Sequence, residues 1–203
     1  MAEAIETLEN VETSSEMQMQ AAYPMIAMAA LSLGDYDKAK EYLTLAHPQL
    51  ASDSAETVNR KNLDSAIMLA YALRQTNNDR PASRLLTQAW NVVETMPRIG
   101  TAGHGIADVH ILAIQGRTDA ALDALRQAID EGFVSLMAYD FWTIDQDVLL
   151  DDLRNDPRFQ AMLLELHEII DRMRRNVDEA EETGNWDVLL DRTRGELTAA
   201  VRP

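Results

Sequence analysis

The sequence predicts an all-α protein, a solenoid of antiparallel helix pairs closed by a C-terminal helical cap. Three observations predict it. The pattern Ala-x3-Leu-x2-Ala occurs three times, as Ala39-Leu43-Ala46, Ala82-Leu86-Ala89 and Ala121-Leu125-Ala128. Twelve and nine residues before each first Ala stand two more apolar residues: Ala27 and Ala30, Ala70 and Leu73, Val109 and Leu112. Between the two halves of each unit lies a turn former: Gly34, then Asn77-Asn78, then Gly116. Three- and four-residue spacing puts each group on one helix face. Recurrence at a few tens of residues marks units that bury their apolar faces only by stacking on one another.

The elements follow in order. Residues 2–17 carry Ala4, Leu8 and Val11 at the spacing of a second helix, with no first helix before it. That predicts a chain starting in mid-repeat, a piece of a longer protein. The first complete pair is expected over about 20–48, with a Gly34-Asp35-Tyr36 turn and Pro48 as its stop. The second pair runs over about 58–96. Pro81 there fits a first helical turn, where its missing N–H is harmless. The third runs over about 102–132, with Gly100, Gly103 and Gly105 loosening its entry and Gly132 as C-cap. Residues 1–132 thus form the repeat region and 133–203 the cap.

Within the cap, Phe133, Phe141 and Trp142 suggest an aromatic cluster, and Asp147–Leu153 reads as a short helix. Asp156-Pro157 is a strong helix start, with Asp as N-cap and Pro at the first helical position. An apolar stripe from Phe159 to Val177 continues to a stop at Gly184. Trp186, Leu189, Leu190 and Leu197 suggest one last helix. A repeat array needs such a cap to cover its final apolar face.

Composition narrows the function. The formal net charge of −16 opposes phosphate backbones and anionic membrane surfaces. Direct nucleic-acid binding is therefore not expected of these residues, and membrane insertion is not expected because no apolar run approaches the roughly 20 residues of a membrane span. The acid-rich N-terminal stretch reads as a solvated helix face or as a surface for a basic partner segment. With no Cys, thiol catalysis, disulfides and cysteine-ligated zinc are excluded, while the compartment of this soluble chain, cytoplasmic or periplasmic, is left open.

The residues with chemical potential are few. His104, Asp108 and His110 form one group, but His110 lies two positions from Asp108 and points elsewhere on a helix, so no metal site is expected. Asp145, Asp147, Asp151 and Asp152 lack the mid-loop Gly and terminal Glu of a calcium loop and read as helix N-terminal charge. Gly100, Gly103 and Gly105 lack the Lys-Ser/Thr of a phosphate loop. The sequence predicts no catalytic residues, no cofactor and no enzyme.

The run Gly34-Asp35-Tyr36-Asp37-Lys38-Ala39, with Tyr23, Ala27 and Ala46, resembles the tetratricopeptide repeat family. The likeness covers about residues 2–132. It departs from the family in its intervals of 43 and 39 residues, where the family repeat is about 34, and in lacking the turn Tyr in the later units. The resemblance implies a TPR-like superhelix, a right-handed solenoid, that binds a protein or peptide on its concave face. Carried over by position, that face is Met28, Ser32, Asp64, Tyr71, Arg74, His110 and Ala113. Trp142 and the stretch from Leu153 through Pro157 and Phe159 to Leu163 are similar to the ends of TPR regions in bacterial multidomain regulators. That likeness implies an upstream effector domain and a role in signalling or transcriptional regulation. The alternative is a small-ligand sensor, which deep apolar enclosure with a few convergent polar groups would favour, whereas an open groove would favour docking. Self-association stays open.

Overall fold

The turns between paired helices are built alike. The computed structural model, which describes residues 16–54, 57–100, 103–134 and 143–186, shows the same two hydrogen bonds at each. The N–H of Gly34 donates to Leu31 and that of Asp35 to Ala30; Asn77 and Asn78 donate to Arg74 and Leu73, Gly116 and Arg117 to Ala113 and Leu112. This reverse-turn cap needs one residue in the left-handed region. Gly34, Asn77 and Gly116 occupy it, at φ of 73°, 59° and 74°. Asn tolerates that region better than other side-chain-bearing residues, so the middle unit keeps the turn without glycine.

These turns join α1 (Glu16–Ser32) to α2 (Tyr36–Ala46), α3 (Leu63–Gln75) to α4 (Asp79–Val93), and α5 (Ala107–Ile114) to α6 (Thr118–Asp130). Each pair packs mainly within itself, then on the next pair through α2 against α3 and α4 against α5. Every residue of the three Ala-Leu-Ala triplets is buried. Ala at the outer positions lets helix axes approach closely while Leu at the centre fills the seam. Burying one such Leu contributes about 1.5–3 kcal/mol. The result is an all-α, TPR-like stack of helix pairs, with no strand among the described residues.

The loops between pairs are not slack. Gln88 Oε1 on α4 accepts from the backbone N–H of Thr57 and Val58 and from the Thr57 hydroxyl, at 2.8–3.2 Å. Buried Asn62 donates to the Thr57 carbonyl and accepts from the Asn59 N–H. Helix α3 accordingly begins at Leu63, after a held loop rather than near Val58. Gly103 was expected to loosen the entry to the third pair, but it serves close approach instead. A Cβ there would overlap the Arg98 carbonyl, around which His104 and Gly105 fold back to bond Pro97 and Arg98.

After α6, a 3-10 turn, Val148–Leu153, lies mainly against α5 and also against α6. Helix α7 (Pro157–Thr183) follows, with Asp156 accepting from the Arg158 N–H, Pro157 in its first turn and Gly184 ending it at φ 65°. Two apolar clusters result. One joins α1 to α4 with Ala107, Ile111, Ile114 and Leu149. The other joins α5 and α6 to Leu150, Leu153 and the first turns of α7, with Phe159 fully buried. Of the helix expected over residues 2–17, residues 2–15 lie outside the described residues, as do the aromatics Phe141 and Trp142 and the last-helix positions Leu189, Leu190 and Leu197, while Glu16 and Met17 belong to α1, the same helix as residues 20–32.

Candidate functional site on the inner face

Helix α3 packs against both α1 and α5, the first helices of the neighbouring pairs, and the segment 143–153 crosses beside them, sharing cavity walls with all three. Leu150 and Leu153 anchor that segment in the second cluster, while Leu149 joins the first. Leu149 also lines two cavities. One, of about 260 Å³, is mostly apolar: Met28 from α1, Ile67 and Met68 from α3, Ile106 and Ala107, Phe133 and Ile144, with Asp64, His104, His110 and Asp147 as its polar groups. The other, of about 240 Å³, is more polar: Tyr71, Arg74 and Gln75 from α3, Asp79, and Val148, Asp151 and Asp152 from the crossing segment.

Five of the seven residues expected on this face reach a cavity. Met28, Asp64 and His110 meet at the apolar one, Tyr71 and Arg74 at the polar one. Ser32 lines neither; its hydroxyl donates back to the Met28 carbonyl at 3.3 Å, within its own helix. Ala113 is a correction. It is 2 % exposed and belongs to the second apolar cluster, together with Leu150 and Leu153 of the crossing segment. A position off the packing stripe of α5 alone is buried once that cluster has closed around the helix.

His110 and Asp147 are brought together across 37 residues of chain. His110 Nε2 stands 2.7 Å from Asp147 Oδ2. The other carboxylate oxygen accepts from the Leu149 N–H at 2.9 Å, so the carboxylate ties α5 to the start of the 3-10 turn. Burial opposes the charged imidazole, but Asp147, with Asp64 and Asp108 farther off, outweighs it and raises the His110 pKa above its ordinary value. Burial likewise opposes ionised Asp147, yet the imidazole, the Leu149 N–H and Arg154 hold its pKa below the usual carboxylate range. Arg154 adds to the hold by donating to the carbonyls of Asp145 and Asp147 and to the Asp151 carboxylate.

Tyr71 stacks edge-on against Tyr36 with ring centroids 6.2 Å apart. Burial first, then Tyr36, Asp151 and Asp152, push its phenol above the ordinary value. It therefore stays protonated. Arg74 donates to the Ile114 carbonyl and lies 3.9 Å from Asp79, which joins α3 to the end of α5.

Behind the apolar cavity sits a charged clamp. Arg98 donates to both oxygens of Asp108, at 3.0 and 2.8 Å, to the Gly105 carbonyl and to Glu131. His104 Nδ1 is 3.8 Å from Asp108 and makes no hydrogen bond. Burial lowers the His104 pKa, with Arg98 adding to that effect against the pull of Asp108 and Glu131. Sequence reasoning placed His104 and Asp108 on one helix face but missed Arg98, whose role depends on the fold-back at Gly103. Among the described residues no group of three or more His, Cys, Asp or Glu is placed to hold a metal ion. None of the described helices is long and apolar enough to cross a membrane.

Stacked helix pairs with a cavity-bearing inner face define a class of proteins that present surface to other molecules. Residues 20–46, the first helix pair, match the family model for the tetratricopeptide repeat. No curated protein and no solved structure gives a significant match to the chain. TPR repeats in general mediate protein–protein interaction, and the family is typically non-catalytic.

Proposed function

We propose that the chain is a non-enzymatic docking module that takes a peptide or protein segment on the inner face of its helix pairs. The convergence of Met28, Asp64 and His110, from three different pairs, on one apolar cavity carries this reading. A cavity of about 260 Å³ falls below the usual range of small-molecule pockets, about 300–1,000 Å³. It suits one inserted side chain of a longer partner. The small-ligand sensor is the weaker reading for the same reason.

In the intact protein the module would regulate or localise an attached effector domain of a bacterial signalling or transcription regulator. The likeness of the Leu153–Phe159 stretch to such regulators supports that part.

The test is selection of random 12-residue peptides on the immobilised chain, with Met28→Glu and Tyr71→Ala variants as comparison. Selected peptides should bind the wild-type chain and lose at least about ten-fold, or 1.4 kcal/mol, on Met28→Glu. Peptides that bind both variants as well as the wild type would place recognition elsewhere and end the proposal.

A further inference from the structure

We infer that the segment fitting this inner face pairs an apolar side chain with a neighbouring lysine or arginine, and that the crossing segment 143–153 supplies part of its recognition surface. This inference rests on the docking reading and gives the partner its chemistry. The apolar cavity is walled by Met28, Ile67, Phe133 and Ile144, which matches a Leu, Ile, Met or Phe side chain. Charge decides what stands beside it. The two cavities share Leu149 as a wall and carry the carboxylates of Asp64, Asp79, Asp147, Asp151 and Asp152, against Arg74 and the His110 imidazole.

Most of those carboxylates already have a cation. Asp147 is met by His110, Asp151 by Arg154 at 2.5 Å and Asp79 by Arg74. Asp64 and Asp152 enter no ion pair among the described residues, and both are exposed. They stand one at each cavity, in a chain of formal net charge −16. A basic group entering there meets an uncompensated carboxylate, whereas an acidic group meets net repulsion, since Arg74 and His110 are already engaged by Asp79 and Asp147. The Tyr71 phenol, which shares a cavity wall with Asp151 and Asp152 and is engaged with Tyr36, adds an aromatic face to the same surface. Asp151 and Asp152 belong to the crossing segment, so the recognition surface is complete only after that segment has packed on α5.

The test is an array of immobilised 12-residue peptides probed with the full chain. Each peptide carries a central Leu, Ile or Phe flanked by Lys or Arg, by Gln, or by Glu. The Lys/Arg arm should be retained at least about ten-fold more strongly than the Glu arm at low salt, and the gap should shrink at high salt. The Asp64→Asn/Asp152→Asn chain should lose the Lys/Arg preference over Gln. It should keep the preference for a central Leu over Ala, and circular dichroism should report an unchanged fold. Met28→Gln should do the reverse. Equal or stronger retention of the Glu arm overturns the inference and leaves docking intact, as does a Lys/Arg preference unmoved by Asp64→Asn/Asp152→Asn. No retention on any arm overturns both readings.

Discussion

Removing the Arg98 guanidinium should cost more than any surface change, because it strands a carboxylate. Arg98 and Asp108 side chains are each 10 % exposed, and two hydrogen bonds join them at 3.0 and 2.8 Å. Arg98→Met keeps much of the stem volume and deletes the charge. Asp108 then loses both guanidinium hydrogen bonds and keeps only the His104 imidazole near it, 3.8 Å away. Breaking a buried pair from one side costs about 3–5 kcal/mol. Glu131, 41 % exposed, regains water and adds little. For a chain of this length about 2–4 °C of melting temperature is lost per kcal/mol, so Tm should fall by roughly 6–20 °C. Scanning calorimetry, with urea unfolding followed by circular dichroism, measures both quantities. The reasoning also demands an asymmetry. Arg98→Met/Asp108→Leu removes both charges and should recover to within about 1 kcal/mol of wild type. A single variant within about 1 kcal/mol of wild type, or a double variant as damaged as the sum of the singles, would refute it.

Three further outcomes follow from the same geometry. Gly34→Ala and Gly116→Ala meet open space, so each should lose only the left-handed backbone penalty of about 1–2 kcal/mol, while Asn77→Gly should be neutral or slightly stabilising in urea unfolding. Leu43→Ala, in the seam of the first pair, should cost about 2–5 kcal/mol, and Leu45→Ala, at 48 % exposure, under about 0.5. The His110–Asp147 pair sets a pH window. A raised His pKa stabilises fully below the unfolded value of about 6.5 and is lost as pH rises through the folded value. A lowered Asp pKa stabilises above about 3.9 and is lost as pH falls through the folded value. The stability gap between wild type and His110→Gln should therefore be widest between about pH 4 and 6.5 and shrink on either side; a flat gap would contradict the pairing.

The helix pairs were legible because their signals are local. A triplet spaced at three and four residues defines a face whatever lies around it, and the Gly34, Asn77 and Gly116 turns declare themselves by residue type. The inner face was legible only in part. Helix phase puts Met28, Asp64, Tyr71, Arg74 and His110 off the packing stripes, and each of them lines a cavity. Ala113 failed because phase tells which way a residue points and not what packs against it. His110 and Asp147 were each singled out, but 37 residues of chain separate them and no local rule joins them. Gly103 looked like slack because a glycine that grants freedom and one that permits contact are the same letter.

By itself the sequence determined that this chain makes antiparallel helix pairs, where they turn, and that it carries a formal net charge of −16. Periodicity, turn chemistry and net charge are properties of short stretches or of the whole composition, so they survive without coordinates. Only the tertiary structure decided that segment 143–153 crosses the inner face, buries Ala113, and leaves two cavities beside Leu149. That outcome depends on contacts between residues far apart in the chain, and their energies exist only once the helices have fixed the distance between them.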